Sequence, residues 1–167
     1  AEAYEKLEQA GYTITSAYTA VKNPQTTKFI YRDRLWSGAD MVGLGVSSFG
    51  HLGGIHYQNI TNIDHYCDSV EAKKAPVRRA LMTQEEERFI RELILQWKLG
   101  RVDKKYFQKK FGISVTERFS LIITKWKENG DLIEEGDYLV LIRDALLRVD
   151  SLLHQFFLPH HQDARYV

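Results

Sequence analysis

Between residues 43 and 54 the chain carries Gly43, Gly45, Gly50, Gly53 and Gly54, five of its 11 glycines. No stable helix runs through such a stretch, because each interior glycine costs about 1 kcal/mol relative to alanine. The order Asp40-Met-Val-Gly-Leu-Gly-Val-Ser-Ser-Phe-Gly-His-Leu instead predicts a buried strand running into a glycine-rich turn that ends at Gly53-Gly54, with residues 55–60 pairing back. Glycines admit positive φ and close approach of other groups, while serine hydroxyls and main-chain N–H groups can bind a polar ligand. The segment is therefore either a tight turn packed on neighbouring backbone or a ligand cradle at a strand end. It matches neither G-x-G-x-x-G, since the third glycine falls at Gly50, nor a phosphate loop, since no Gly-Lys-Ser/Thr follows.

On the N-terminal side, Ala1 to Gln9 reads as a helix stopped by Gly11, and Tyr12 to Val21 as an alternating strand. Residues 22–38 read as a polar surface loop. Beyond the glycines the pattern turns helical. Asp64 is a candidate N-cap for a helix carrying Tyr66, Cys67 and Val70, which must stop by Pro76. Thr83 and Glu86 form a capping-box pattern opening a helix with Phe89, Ile90, Leu93, Ile94 and Trp97 inward and Gly100 closing it. Asp103 to Phe111 reads as a short helix and Val115 to Asn129 as a longer one. Glu135-Gly136-Asp137 joins two hairpin strands, and a last helix carries Leu146, Val149, Leu153, Phe156 and Phe157. Helix, helix, hairpin, helix is a winged-helix-like order. The aromatic stripe Phe119, Trp126, Phe156 and Phe157 is expected in the core.

Charge and cysteine content narrow the chemistry. The 167 residues balance 23 Lys+Arg against 22 Asp+Glu, so no global field holds the chain on nucleic acid or an anionic membrane. Residues 71–110 are locally basic, with twelve Lys/Arg against six Asp/Glu, which raises a winged-helix nucleic-acid binder as an alternative. Against it, the second long helix is nearly neutral and the hairpin tip is acidic, a poor match to phosphate. The single Cys67 excludes an internal disulfide and any iron–sulfur or metal site built by this chain from several thiolates. The six histidines show no H-E-x-x-H arrangement. No stretch has the roughly 20 apolar residues of a membrane span and no signal-peptide layout is present, so a cytoplasmic protein without membrane partners is expected.

The D-x-x-G-x-G-V-S pattern at Asp40–Ser47, followed by Tyr57-Gln58-Asn59, resembles the C-terminal part of oxygen-independent coproporphyrinogen III oxidases and related radical S-adenosylmethionine proteins. The likeness extends from the Gly11-Tyr12 strand through Tyr66 and Pro76 to the terminal helix–hairpin–helix region. It implies an enzyme of haem biosynthesis whose barrel holds a [4Fe-4S] cluster through C-x-x-x-C-x-x-C. S-adenosylmethionine cleaved there would supply the radical that converts two propionates of the tetrapyrrole to vinyl groups with loss of CO₂. This chain has no such cysteine motif, so the resemblance implies a fragment that is catalytically inactive alone, with neither cofactor bound to it. By position, Phe49 falls where the family contacts S-adenosylmethionine, with Ser47, Ser48 and Gly45 as neighbouring candidates; no catalytic or metal-binding residue is assigned. Cys67 does not match a cluster cysteine and is expected as a buried helix residue. Val46-Ser47 and Tyr57-Gln58-Asn59 follow the oxidase branch, whereas Leu95 departs from it, which keeps haem-chaperone and haem-degrading relatives open.

The expected fold is α+β. Residues 1–62 would be the terminal strands and helix of a truncated α/β barrel. Residues 63–167 would form a mainly helical, winged-helix-like lid whose basic residues meet the carboxylates of a tetrapyrrole. An exposed barrel edge would favour self-pairing, so the oligomeric state stays open.

Overall fold

A computed structural model describes residues 2–161; Ala1 and the end of the expected lid, residues 162–167, lie outside the described residues. The chain is a mixed α/β protein. In order it forms α1 (Glu2–Gln9), β1 (Thr13–Ser16), β2 (Thr19–Val21), α2 (Ile30–Trp36), β3 (Phe49–Leu52), β4 (Ile55–Asn59), α3 (Ile63–Glu71), β5 (Val77–Met82), α4 (Glu85–Lys98) and β6 (Arg101–Asp103). There follow α5 (Lys104–Phe111), α6 (Val115–Arg118), α7 (Ser120–Glu128), β7 (Leu132–Glu135), β8 (Tyr138–Leu141), α8 (Arg143–Leu147) and α9 (Val149–Leu153), with 3₁₀ turns at His154–Phe156 and Pro159–His161. Two compact units result. One combines the residues up to Ser37 with those from Phe89 onward, and the other spans Gly38–Arg88. These units reflect packing within the chain, a separate matter from a barrel boundary at residue 62. All strand pairs among the described residues are antiparallel, so no parallel barrel ladder is present in them.

The first unit holds the apolar core. Phe89, Leu93 and Trp97 lie on one face of α4 at helical spacing and are fully buried. Trp97 meets Trp126 of α7 edge-on, with centroids 5.3 Å apart, and Phe156 stacks beside it at 6.0 Å. Trp126 and Phe156 are buried, and Phe119 and Phe157 pack against the same core, as the stripe predicts. The strand order is β6-β8-β7, so the strand after α4 pairs with the far strand of the hairpin. The N-terminal residues join this unit. Tyr4 Oη donates to the Ala17 carbonyl at 2.5 Å, Arg143 pairs with Glu8, and Ala17 N–H donates to Lys98 O at 3.1 Å.

Several boundaries differ from the sequence expectation, each for a local reason. The expected strand 12–21 is the hairpin β1–β2, because the chain turns at Ala17-Tyr18. The expected loop 22–38 contains α2, where Arg32 donates to Ser16 Oγ and Thr19 Oγ1 and lies over the Phe29 and Trp36 rings. The cap of α3 is Asn62, whose side chain accepts from His65 N–H at 3.0 Å; Asp64 sits inside the first turn. Thr83 Oγ1 donates to the Gly54 carbonyl and does not serve as the cap acceptor. The side-chain cap of α4 is instead Glu87, whose carboxylate accepts from Gln84 N–H at 2.7 Å. The helix expected over 115–129 breaks at Phe119 (φ −119°, ψ 34°). The last helix is likewise split into α8, α9 and a 3₁₀ turn.

Candidate functional site

The second unit is a three-stranded sheet, β3-β4-β5, with α3 and the segment 38–48. The expected buried strand over 40–52 is not formed. Met41 makes an isolated bridge to His51, residues 43–48 form a loop, and pairing begins at Phe49. Val42 and Leu44 are exposed, 59% and 82%. Alternating glycines imitate a strand pattern, but hydrogen bonds to side chains hold the segment.

Those side chains are Tyr57, Gln58 and Asn59, consecutive on β4. Gly43 N–H donates to Tyr57 Oη at 3.1 Å, and Gln58 Nε2 donates to Ser47 O at 3.3 Å. Asn59 Nδ2 donates to both Gly43 O and Gly45 O, each at 3.0 Å. Tyr66 of α3 is a fourth side chain on the loop, accepting from Gly45 N–H at 3.0 Å. Main-chain bonds from Ser47 N–H to Ile60 O and from Asn59 N–H to Ser48 O complete the clamp. These bonds hold Ser47 in the left-handed region at φ +60°, a conformation that costs a non-glycine residue roughly 1–3 kcal/mol. Glycine is needed at two packed points: a Cβ on Gly43 would sit 2.3 Å from the Phe49 carbonyl oxygen, and one on Gly50 2.2 Å from the Tyr57 ring. Asn59 and Gln58 are buried, and their side-chain amides bond inside the protein.

The four sequence candidates occupy different situations on this loop. Gly45 has its N–H and its carbonyl engaged and serves the turn, at φ +93°. Ser48 gives its hydroxyl to Leu44 O at 2.6 Å. Ser47 is exposed, and Phe49 is 47% exposed with its ring stacked on His56, centroids 5.6 Å apart and planes 12° apart. Ser47 on the loop and Phe49 at the start of β3 are thus the two exposed candidates. Cys67, expected in a buried helix position, is exposed on α3, because that helix buries none of its residues. Sequence reasoning missed β5 and, with it, Arg79, whose Nε donates to Gln58 Oε1 at 2.9 Å. The signal was the basic pair Arg78-Arg79, which falls within the locally basic residues 71–110.

No family model matches the chain. Two curated relatives are similar to part of it: oxygen-independent coproporphyrinogen III oxidase of Helicobacter pylori, 26% identical over 87 residues, and that of Pseudomonas aeruginosa, 31% over 85 residues. These alignments take in 52% and 48% of this chain but only 19% and 18% of the relatives, so the chain spans less than a fifth of their length. Among solved structures, coproporphyrinogen III oxidase from Escherichia coli, described as a radical SAM enzyme, matches 93% of this chain and 39% of its own, with a TM-score of 0.69 and 15% identity. The chain resembles part of an oxygen-independent coproporphyrinogen III oxidase, in sequence over about half its length and in fold over nearly all of it. Among the described residues, no helix is long and apolar enough to cross a membrane.

Proposed function

We propose that this chain is the C-terminal part of a cytoplasmic radical S-adenosylmethionine enzyme of the oxygen-independent coproporphyrinogen III oxidase type, which decarboxylates tetrapyrrole propionates to vinyl groups. Residues 1–62 end its catalytic barrel, and residues 63–167 form a winged-helix-like lid over the substrate. The observation that carries this reading is the fold likeness to the Escherichia coli enzyme along almost the whole chain. The composition of the second unit supports it. Among the described residues of 38–88 no large apolar side chain is buried, while Leu44, Leu52, Leu81 and Met82 are exposed. A surface of that kind suits a piece covered by further protein.

The two cofactors fit this chain differently. A [4Fe-4S] cluster does not fit: it needs several thiolates, and Cys67 is the one cysteine, exposed on α3. S-adenosylmethionine fits the loop, with the Phe49 ring as a wall beside the nucleoside and the Ser47 hydroxyl as a polar contact. When bound in the intact enzyme it supplies the hydrogen-abstracting radical. The residues of this chain shape the wall, exclude water from one side and hold the loop rigid through Tyr57, Gln58, Asn59 and Tyr66.

The β6-β8-β7 order with α4, α5 and α6–α7 is also the layout of winged-helix nucleic-acid binders. The charges weigh against that use. Glu134 on the wing binds both Lys104 and Lys127, which holds its carboxyl down to about 2, and Lys105 pairs with Asp137 at 2.7 Å. Cations held by wing carboxylates are poorly placed to neutralise phosphate.

Anaerobic reconstitution with iron and sulfide tests the assignment. The purified chain is expected to take up no iron–sulfur cluster and to form no 5′-deoxyadenosine from S-adenosylmethionine. A cluster bound stoichiometrically to the chain would overturn the reading.

A further inference from the structure

Gln58 is the middle residue of a cross-strand row. Phe49 of β3 pairs with it on one side and Arg79 of β5 on the other. Directly paired residues of an antiparallel sheet put their side chains on the same face, so Phe49, Gln58 and Arg79 share one. Gln58 is buried and spends both ends of its amide: Nε2 donates to Ser47 O, and Oε1 accepts from Arg79 Nε. The guanidinium is therefore fixed through one buried amide to the loop that carries Ser47 and leads into Phe49.

That arrangement differs from an ordinary surface arginine. A solvated arginine on a strand must lose roughly 2 kcal/mol of rotamer freedom before it can hold a ligand. Here the bond to Gln58 already fixes the plane of the guanidinium, and among the described residues its two terminal nitrogens have no partner. Arg78 makes a useful contrast. It is the extra residue where the register shifts between Gln58 and Asn59, and its Nη1 donates to Thr61 Oγ1 at 3.3 Å. A pinned fork with two outward N–H groups matches a carboxylate, which accepts two parallel hydrogen bonds.

We propose that Arg79, oriented by Gln58, binds a carboxylate of the ligand whose ring system lies against Phe49. The inference rests on the proposed function and adds to it the residue that selects for an acid. S-adenosylmethionine carries one carboxylate and a coproporphyrin carries four, so the chemistry is shared and the experiment separates the two sources.

The test uses the ¹⁵N-labelled chain and the side-chain Nε–Hε resonance of Arg79, assigned by its loss in Arg79→Lys. Each acid is titrated beside a counterpart lacking the carboxylate: S-adenosylmethionine against its decarboxylated form, and coproporphyrin III against its tetramethyl ester. The expected result is a saturable shift with one acid, at a Kd of about 1 mM or tighter, and none with its counterpart. Arg79→Gln should weaken that acid by about tenfold or more, measured on the backbone amides of 47–49, with Arg79→Lys in between. The acid that saturates identifies the source. A resonance indifferent to both acids, or an equal response to acid and ester, overturns the inference. If Arg79→Gln melts at lower temperature than the wild type, Arg79→Lys carries the comparison. Failure here leaves the cluster and cleavage result of the proposed function untouched, and the reverse also holds.

Discussion

Trp97→Ala is expected to remove about 3–5 kcal/mol of stability from the unit built around α4. The indole is fully buried, lies edge-on to Trp126 at 5.3 Å and is stacked beside Phe156 at 6.0 Å. Alanine there removes the apolar transfer term and leaves a cavity that two aromatic neighbours cannot fill without shifting α7 and the 3₁₀ turn at His154–Phe156. Against a typical total of about 5–15 kcal/mol for a domain, a loss of this size moves the denaturation midpoint far. Urea unfolding followed by the fluorescence of the remaining tryptophans measures it. Leu121→Ala is the control: at 86% exposure its cost should stay within about 0.5 kcal/mol. Equal effects of the two substitutions would mean that the aromatic cluster is not the core.

Gly43→Ala is expected to release the loop while leaving the first unit folded. Gly43 does not need a positive φ; the reason for glycine is space, since a Cβ would stand 2.3 Å from the Phe49 carbonyl oxygen and 2.7 Å from its carbon. Both are main-chain atoms at the start of β3, so no side chain can swing aside. Relief requires the loop to move outward, which breaks the bonds from Gly43 N–H to Tyr57 and from Asn59 to the Gly43 carbonyl. A cost of about 1–3 kcal/mol is expected, as for other overpacked sites. It should be read as faster hydrogen exchange at the amides of 43, 45 and 47. Gly45→Ala separates sterics from conformation. Its nearest neighbour would be Ser48 Oγ at an ordinary 3.7 Å, so the strain there comes from φ +93° alone. Unchanged protection in Gly43→Ala would show that the clamp does not hold the loop.

The contrast between the two sites explains what could be read in the residues. The α4 helix was legible because its face recurs at 3.6 residues, and its burial needs no knowledge of distant partners. Gly11 and Gly100 were equally clear as stops, and each has a positive φ. The strand β5, Val-Arg-Arg-Ala-Leu-Met, shows no alternation; its place is set by pairing with β4, a contact that sequence periodicity does not carry. For the same reason Tyr57-Gln58-Asn59 was legible as a family signature but not as a clamp. Its work depends on β3 folding back beside β4, which brings the loop 43–48 within reach of those three side chains. Phe49 and Ser47 were reached through resemblance, whereas the link from Gln58 to Arg79 required the register of all three strands.

Sequencing the transcript that encodes this chain tests the central claim most directly. The account predicts an open reading frame that continues upstream of residue 1 and encodes C-x-x-x-C-x-x-C within the preceding barrel. A stop codon in frame ahead of the chain, with a start codon between it and the chain but no such cysteine motif, would contradict it.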